Sequence, residues 1–259
     1  MAVLMRGTLH VVEYNAMVFR RIWRGSIAVS FFTPVFFLAA MGLGLGTLVN
    51  RSSGGVDGVP YLEWLAPSLV AAAAMQTAAI EAMYPILAKI MWDRTYEAAL
   101  ATRLTIPDLL RGEIVWLILR MFIVSAMYFI VMAAFGVVHS LESLLIVPAA
   151  ILTGLAFATP IMSFTATRRN DSGFAAINRF VVIPLYLLAG TFFPIAKLPL
   201  ALQFVAWATP LAHGVALCRG AVLGTLTPYD ALLHTVVLLA YFAGGLIIAR
   251  ALLIKRLSK

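Results

Sequence analysis

Apolar residues gather along this chain into long stretches, and most polar residues gather between them. Ile27 to Val49, Leu144 to Thr167 and Ala231 to Ala249 carry no charge, and each approaches or exceeds the roughly 20 apolar residues that a helix needs to cross hydrocarbon. Trp64 to Ala88 and Ile114 to Val138 are also long enough, but each holds one ionisable residue, Glu81 and Arg120. Phe174 to Phe193, with Arg179 near its start, makes the sixth. The pattern predicts an all-α membrane protein with one transmembrane domain over residues 1–259 and spans at about 27–49, 64–88, 114–138, 144–167, 174–193 and 231–249.

A seventh apolar stretch, Leu198 to Cys218, is interrupted by Pro199, Pro210, His213 and Gly214. Irregular backbone at membrane depth survives only where protein or water satisfies its polar groups, so this stretch predicts re-entrant short helices before the last span. The charges agree. With six spans, Arg6, Arg20, Arg21 and Arg24, then Lys89, Arg94, Arg103 and Arg111, then Arg168, Arg169 and Arg179, then Arg250, Lys255, Arg256 and Lys259 all face one side, leaving only Arg51, Lys197, Arg219 and the intramembrane Arg120 of the 19 Lys and Arg. The positive-inside rule then puts both termini in the cytoplasm, with the protein in the cytoplasmic (inner) membrane. No cleavable targeting segment is expected, because the first apolar run begins only near Ile27, exceeds a signal h-region and lacks an A-x-A site.

Composition removes other classes. A mean hydropathy of +0.98 with 63% hydrophobic and 12% charged residues makes lipid the solvent. The net charge of +8 is spread beside the spans rather than in one patch, which suits anionic headgroups and not nucleic acid. The single Cys218 cannot form an intrachain disulfide and reads as a buried small apolar residue.

The segments between spans hold candidate contacts. Val11, Val18, Phe19, Ile22 and Trp23 recur at helical spacing, with Arg20, Arg21 and Arg24 clustered toward the other face, which predicts an N-terminal interfacial helix; the alternative is an ordinary positive flank. Lys89 to Glu113 predicts two short helices, the first capped by Asp93 and the second opened by Thr105 and Asp108 around Pro107. This mixed-charge segment reads as a docking surface, or as a solvated connector. Arg168, Arg169, Asn170 and Asp171 form a shorter turn on the same side.

Catalytic and metal chemistry find no constellation. Gly42, Gly44 and Gly46 lie within a span, with no following Lys-Ser/Thr, and Gly42 with Gly46 gives the small-xxx-small spacing of close helix packing instead. No P-loop occurs, so any ATP-driven step needs another subunit. His10, His139, His213 and His234 are dispersed, without metal-ligand spacing, and no G-x-S-x-G elbow is present. Glu81 and Arg120 lie at matching depth, on the order of 10 Å inside the cytoplasmic boundary at helical rise. An ion pair would relieve the cost of each; separate snorkelling is the alternative.

The runs Tyr61-Leu62-Glu63-Trp64-Leu65-Ala66-Pro67, Glu81-Ala82-Met83-Tyr84, Tyr96-Glu97-Ala98-Ala99-Leu100-Ala101-Thr102 and Gly112-Glu113-Ile114-Val115-Trp116 resemble the membrane subunit of type-2 ATP-binding-cassette (ABC-2) exporters. Leu188-Ala189-Gly190-Thr191-Phe192-Phe193-Pro194, Leu198-Pro199, Gln203, Pro210-Leu211 and Arg219 are similar to that superfamily's stretch after the fifth span. The likeness covers nearly the whole chain and is strongest toward NodJ-like lipo-oligosaccharide export permeases, with Ser68 where glycine is expected. It implies a dimer with a second permease copy or paralogue and two copies of an ABC ATPase subunit, which binds the ATP and Mg; this chain itself holds no cofactor. A coupling helix bearing Arg94, Tyr96, Glu97, Thr102 and Arg103 would seat in the ATPase, with Arg168, Arg169 and Asp171 as secondary contact. Phe192, Phe193, Pro194, Pro210 and His213 would sit near the outer gate of the path. The implied cargo is a glycolipid or lipid-linked oligosaccharide; a multidrug or other lipid exporter is the runner-up. An ATP-independent carrier or channel and a lipid-modifying enzyme are the readings from other classes.

Overall fold

The computed structural model describes residues 2–258, with side chains from Gly7 onward. Helices are the only extended elements among the described residues, as a chain in lipid requires, since a helix satisfies its backbone polar groups internally. In order these are α1 (Ala2–Phe37), α2 (Gly46–Ser53), α3 (Tyr61–Leu87), α4 (Thr95–Leu100), α5 (Ile106–Ala134), α6 (Ile146–Thr167), α7 (Phe174–Ile177), α8 (Ile183–Leu188), α9 (Leu200–Trp207), α10 (Pro210–Leu223) and α11 (Pro228–Leu257). Wider π-helical turns at Leu38–Leu45 and Asn178–Val182 join α1 to α2 and α7 to α8, and a third, Ala88–Trp92, extends α3. Pro184 follows the second of these, where its ring crowds the carbonyl of Phe180 and its missing N–H breaks the regular ladder.

Among the described residues, five helical stretches are long and apolar enough to cross a membrane: Gly7–Ser53, Tyr61–Trp92, Ile106–Ala134, Leu141–Thr167 and Pro228–Leu257. Their outward faces carry large apolar side chains, such as Val29, Phe36, Ile130 and Ile247. The core lies where α6 meets α3 on one side and α11 on the other. Gly154 admits Met121 of α5 and the Ala74 backbone of α3, and Thr165 Oγ1 donates to the Ala82 carbonyl at 2.9 Å. Gly245 lies against Thr159 and Pro160, Thr159 Oγ1 donates to Phe242 O at 3.0 Å, and Ser163 Oγ donates to Gly245 O at 3.0 Å.

These contacts separate two ends. The basic end collects α4, the start of α5, the 168–173 turn and the close of α11, where Arg256 donates to Ala166 O at 2.6 Å and lies 2.9 Å from Met91 Sδ. The far end collects the 54–60 loop, the starts of α3, α6 and α11, and the close of α10.

Several expectations change. The N-terminal stretch is not a separate interfacial helix: α1 continues through it into the first span, because no proline or turn separates Arg24 from Ile27. Its 36 residues reach about 54 Å, well beyond the hydrocarbon thickness. Val11, Asn15 and Phe19 face α5, Gly112 giving Val11 room to approach, while Val18, Ile22 and Trp23 stay exposed. The second short helix before the third span is the start of α5 itself, opened eight residues early by the Thr105–Asp108 capping box and ending at Ala134 rather than Val138. Asp93 does not cap α4; Arg94 occupies that place with a left-handed backbone, φ 50°. The segment expected over 174–193 is helical only to Leu188, about 22 Å, so it runs from the basic end to the far end without the length of a full span. Gly190, at φ 81°, supplies the left-handed turn that follows it. Helices α9 and α10 meet at 82°. Arg219 and Cys218 of α10 lie beside the starts of α3 and α6, whereas Trp207 and His213 reach inward to His234, so the pair enters and leaves at the far end.

Candidate functional site

At the basic end α4 presents a short polar surface. Arg94, Glu97, Thr102 and Arg103 are exposed around it. Tyr96 is not: only 3% of it is accessible, because its ring turns inward to a cleft of about 290 Å³ shared with His10, Tyr14, Lys89, Thr95 and Glu113. The expectation that Tyr96 belongs to the docking surface is therefore corrected. Burial, with the Glu113 carboxylate beside it, pushes the Tyr96 phenol well above its ordinary range.

Beneath Tyr96 lies a charge cluster that the sequence did not disclose. Lys89 Nζ, at the start of the α3 extension, donates to Glu113 Oε1 at 2.7 Å and to Oε2 at 2.8 Å. Asn15 of α1 donates to the same Oε2 at 3.3 Å. Lys89 and Glu113 are 7% and 3% accessible, so burial requires the pairing. One carboxylate thus ties together α1, the end of α3, the start of α5 and the underside of α4. Glu113 shares the inward stripe of α5 with Leu110, Leu117 and Met121, all buried at spacings of three or four. That stripe was the available signal.

About two turns along α5, Arg120 Nε donates to Glu81 Oε1 at 2.8 Å and its Nη1 donates to Ser26 Oγ at 3.0 Å. Its guanidinium also lies 4.7 Å from the ring centre of Phe19. The structure thus brings Glu81 and Arg120 together and adds α1 to the pair. Arg168, Arg169 and Asp171 are exposed on their turn, Arg168 lying 4.2 Å from the Phe164 ring centre. Arg256 links that end of α6 to Met91, just before α4, so both polar surfaces share one end.

The expected gate residues lie at the far end but do not form one cluster. Phe192 meets Tyr186 and Phe37 with ring centres at 5.1 and 6.0 Å, and its carbonyl accepts from the Tyr61 hydroxyl at 3.2 Å. Phe193 and Pro194 are half-buried beside it, and Pro210 is buried at the first turn of α10. His213 belongs to a separate group: its Nδ1 is 2.8 Å from His234 Nδ1, and its Nε2 is 2.9 Å from Trp207 O. A carbonyl only accepts, so with both rings neutral His213 donates through Nε2 and its Nδ1 accepts the Nδ1–H of His234. Trp207 stacks on His234 with centres 6.0 Å apart. Among the described residues no further His, Cys, Asp or Glu joins them to make a metal-holding group.

A helical membrane domain with basic, exposed polar surfaces at one end and a bent helix pair at the other matches the family model for ABC-2 type transporters over residues 9–223, and the chain belongs to that family. It is a multi-pass membrane permease. Within the family it is similar to nodulation protein J of Rhizobium leguminosarum bv. viciae, 34% identical over 97% of this chain and 95% of that one. It is also similar to nodulation protein J of Rhizobium meliloti (strain 1021), 32% identical over 94% and 91% of the two chains, and of Neorhizobium galegae, 31% identical over 95% and 92%.

Proposed function

We propose that this permease exports an amphipathic glycolipid or lipid-linked oligosaccharide across the cytoplasmic membrane, driven by ATP hydrolysis in two partner ATPase subunits. The basic end faces the cytoplasm, in keeping with the positive-inside rule. A second permease, identical or paralogous, completes the path. The observation that carries this reading is the exposed α4 surface standing on the buried Lys89–Glu113 pair. A solvated connector has no need of a buried charge cluster beneath it. Closure of the ATPase pair pushes on Arg94, Glu97, Thr102 and Arg103, and the push passes through Tyr96 and Glu113 into α1, α3 and α5 together. Transport is then a change in the populations of two helix arrangements, with ATP binding in the partner favouring one of them. This chain contributes no covalent step; ATP, bound with Mg in the partner, supplies the driving energy. The glycolipid cargo draws support from the sequence's likeness to lipo-oligosaccharide export permeases.

The test is reconstitution in vesicles with and without the ATPase, following translocation of a fluorescent glycolipid and of a hydrophobic drug. Translocation of the glycolipid is expected only with the ATPase and ATP, and Arg94→Glu with Arg103→Glu is expected to release the ATPase and abolish transport. Full activity of the chain alone without nucleotide refutes the reading, and drug transport without glycolipid transport refutes the cargo.

A further inference from the structure

A cavity of about 300 Å³ opens at the far end between the 54–60 loop, the break after α8 and the α9–α10 pair. Its polar lining is Asp57, Gln203, Trp207 and Arg219. Arg219 is held rigidly by neutral partners: Nε donates to Trp64 O at 3.1 Å, and Nη2 donates to Gly190 O at 2.7 Å and to Ser68 Oγ. Its guanidinium lies 3.6 Å from the centre of the Trp64 ring. No ion pair among the described residues includes Arg219, and its Nη1 bonds to none of them. Gln203 uses its amide nitrogen on Ala196 O and Leu198 O, at 3.3 and 2.8 Å, which leaves Oε1 as an acceptor. Asp57 is exposed on a turn with φ 52°, its carboxylate bonded to no described residue.

These groups select a ligand by charge and size. One guanidinium and one carboxylate line the same cavity, so a small anion gains from Arg219 and loses against Asp57. A neutral polyol accepts from Arg219 and donates to Asp57 and Gln203 at once. The Trp64 face is already covered by Arg219, and His234 stacks on one face of Trp207; with Trp207 44% exposed, its other face is the apolar surface left for a C–H face. The volume lies at the lower bound of ligand sites, which fits one ring and not a chain of them.

We propose that this cavity binds a single pyranose ring, a headgroup sugar of the cargo as it reaches the outer side; this rests on the glycolipid reading above. The permease with its ATPase, in lipid nanodiscs, is titrated with methyl β-glucopyranoside and methyl N-acetyl-β-glucosaminide, following tryptophan emission and saturation-transfer NMR of the sugar. Inorganic phosphate is the anionic competitor. A saturable signal is expected, with the emission change lost in Trp207→Phe and affinity weakened about tenfold by Asp57→Asn or by Gln203→Ala, which leave the Arg219 clamp intact. No saturable signal, unchanged affinity in both variants, or displacement by phosphate overturns the assignment. Glycolipid translocation is measured on the same preparations. Translocation without sugar binding overturns the cavity assignment alone, and sugar binding without translocation overturns the cargo reading alone.

Discussion

Glu113→Gln keeps the shape of the side chain and removes the charge that Lys89 faces. The carboxylate accepts two bonds from Lys89 and one from Asn15, in a place where both members of the ion pair are less than a tenth accessible. Removing one partner of such a pair leaves an uncompensated buried charge, which costs about 3–5 kcal/mol. At the scale of a chain this size, 3 kcal/mol lowers the melting temperature by about 6–12 °C. Lys89→Met exposes the converse charge and is expected to cost a similar amount. The double variant removes both charges, so its loss is expected to fall at least about 2 kcal/mol short of the sum of the two singles. Thermal unfolding of the detergent-purified protein reads the stability cycle, and translocation in vesicles reads the functional one. Glu113→Gln is expected to lower translocation more than it lowers ATP hydrolysis, because in the proposed coupling Tyr96 loses the carboxylate that passes the push from α4 to the spans. Additive losses in the cycle, or a Glu113→Gln protein as stable as the parent, would refute the account of the cluster.

Glu81→Gln and Arg120→Met are expected to couple in the same way, by about 1–2 kcal/mol, since Arg120 retains Ser26 and Phe19 as partners; strict additivity in stability or transport argues against the pair. Gly245→Val puts a branched side chain where even a Cβ would lie 2.6 Å from the Pro160 backbone nitrogen, and is expected to reduce the folded yield severely, with a loss above about 3 kcal/mol; near-parental yield and melting refute that packing. The raised Tyr96 pKa makes a stability contribution that is fully present below about pH 10 and lost as pH rises from there toward the folded value. Tyr96→Phe is expected to remove that alkaline component of the melting curve, and an unchanged alkaline limit counts against it.

Much of the fold was readable because spans without charge leave lipid as their only solvent. The capping box at Thr105 was readable too, since it needs only residues three apart. The extent of α1 was not, because amphipathic periodicity and a hydrophobic run join without punctuation between Arg24 and Ile27. The site was less legible. Lys89 and Glu113 look like solvated ends of a loop, and only the packing of α3 on α5 turns them inward. His213 and His234 stand 21 residues apart, and their contact depends on the bend between α9 and α10. Tyr96 reads as exposed in a polar segment, but its burial is decided by a cleft formed partly by α1.

The α6–α11 seam sets a boundary on how this machine can move. Hydroxyls of one helix grip carbonyls of the other at successive turns, and Gly245 leaves no slack for sliding past Pro160. The two helices therefore travel as a single beam, with α3 fastened along its flank at Ala82 and Thr165. Whatever pivots during a transport cycle must pivot against this chassis, at the first helix, which is fastened to α5 rather than to the α6–α11 seam, and at the short, proline-interrupted fifth crossing.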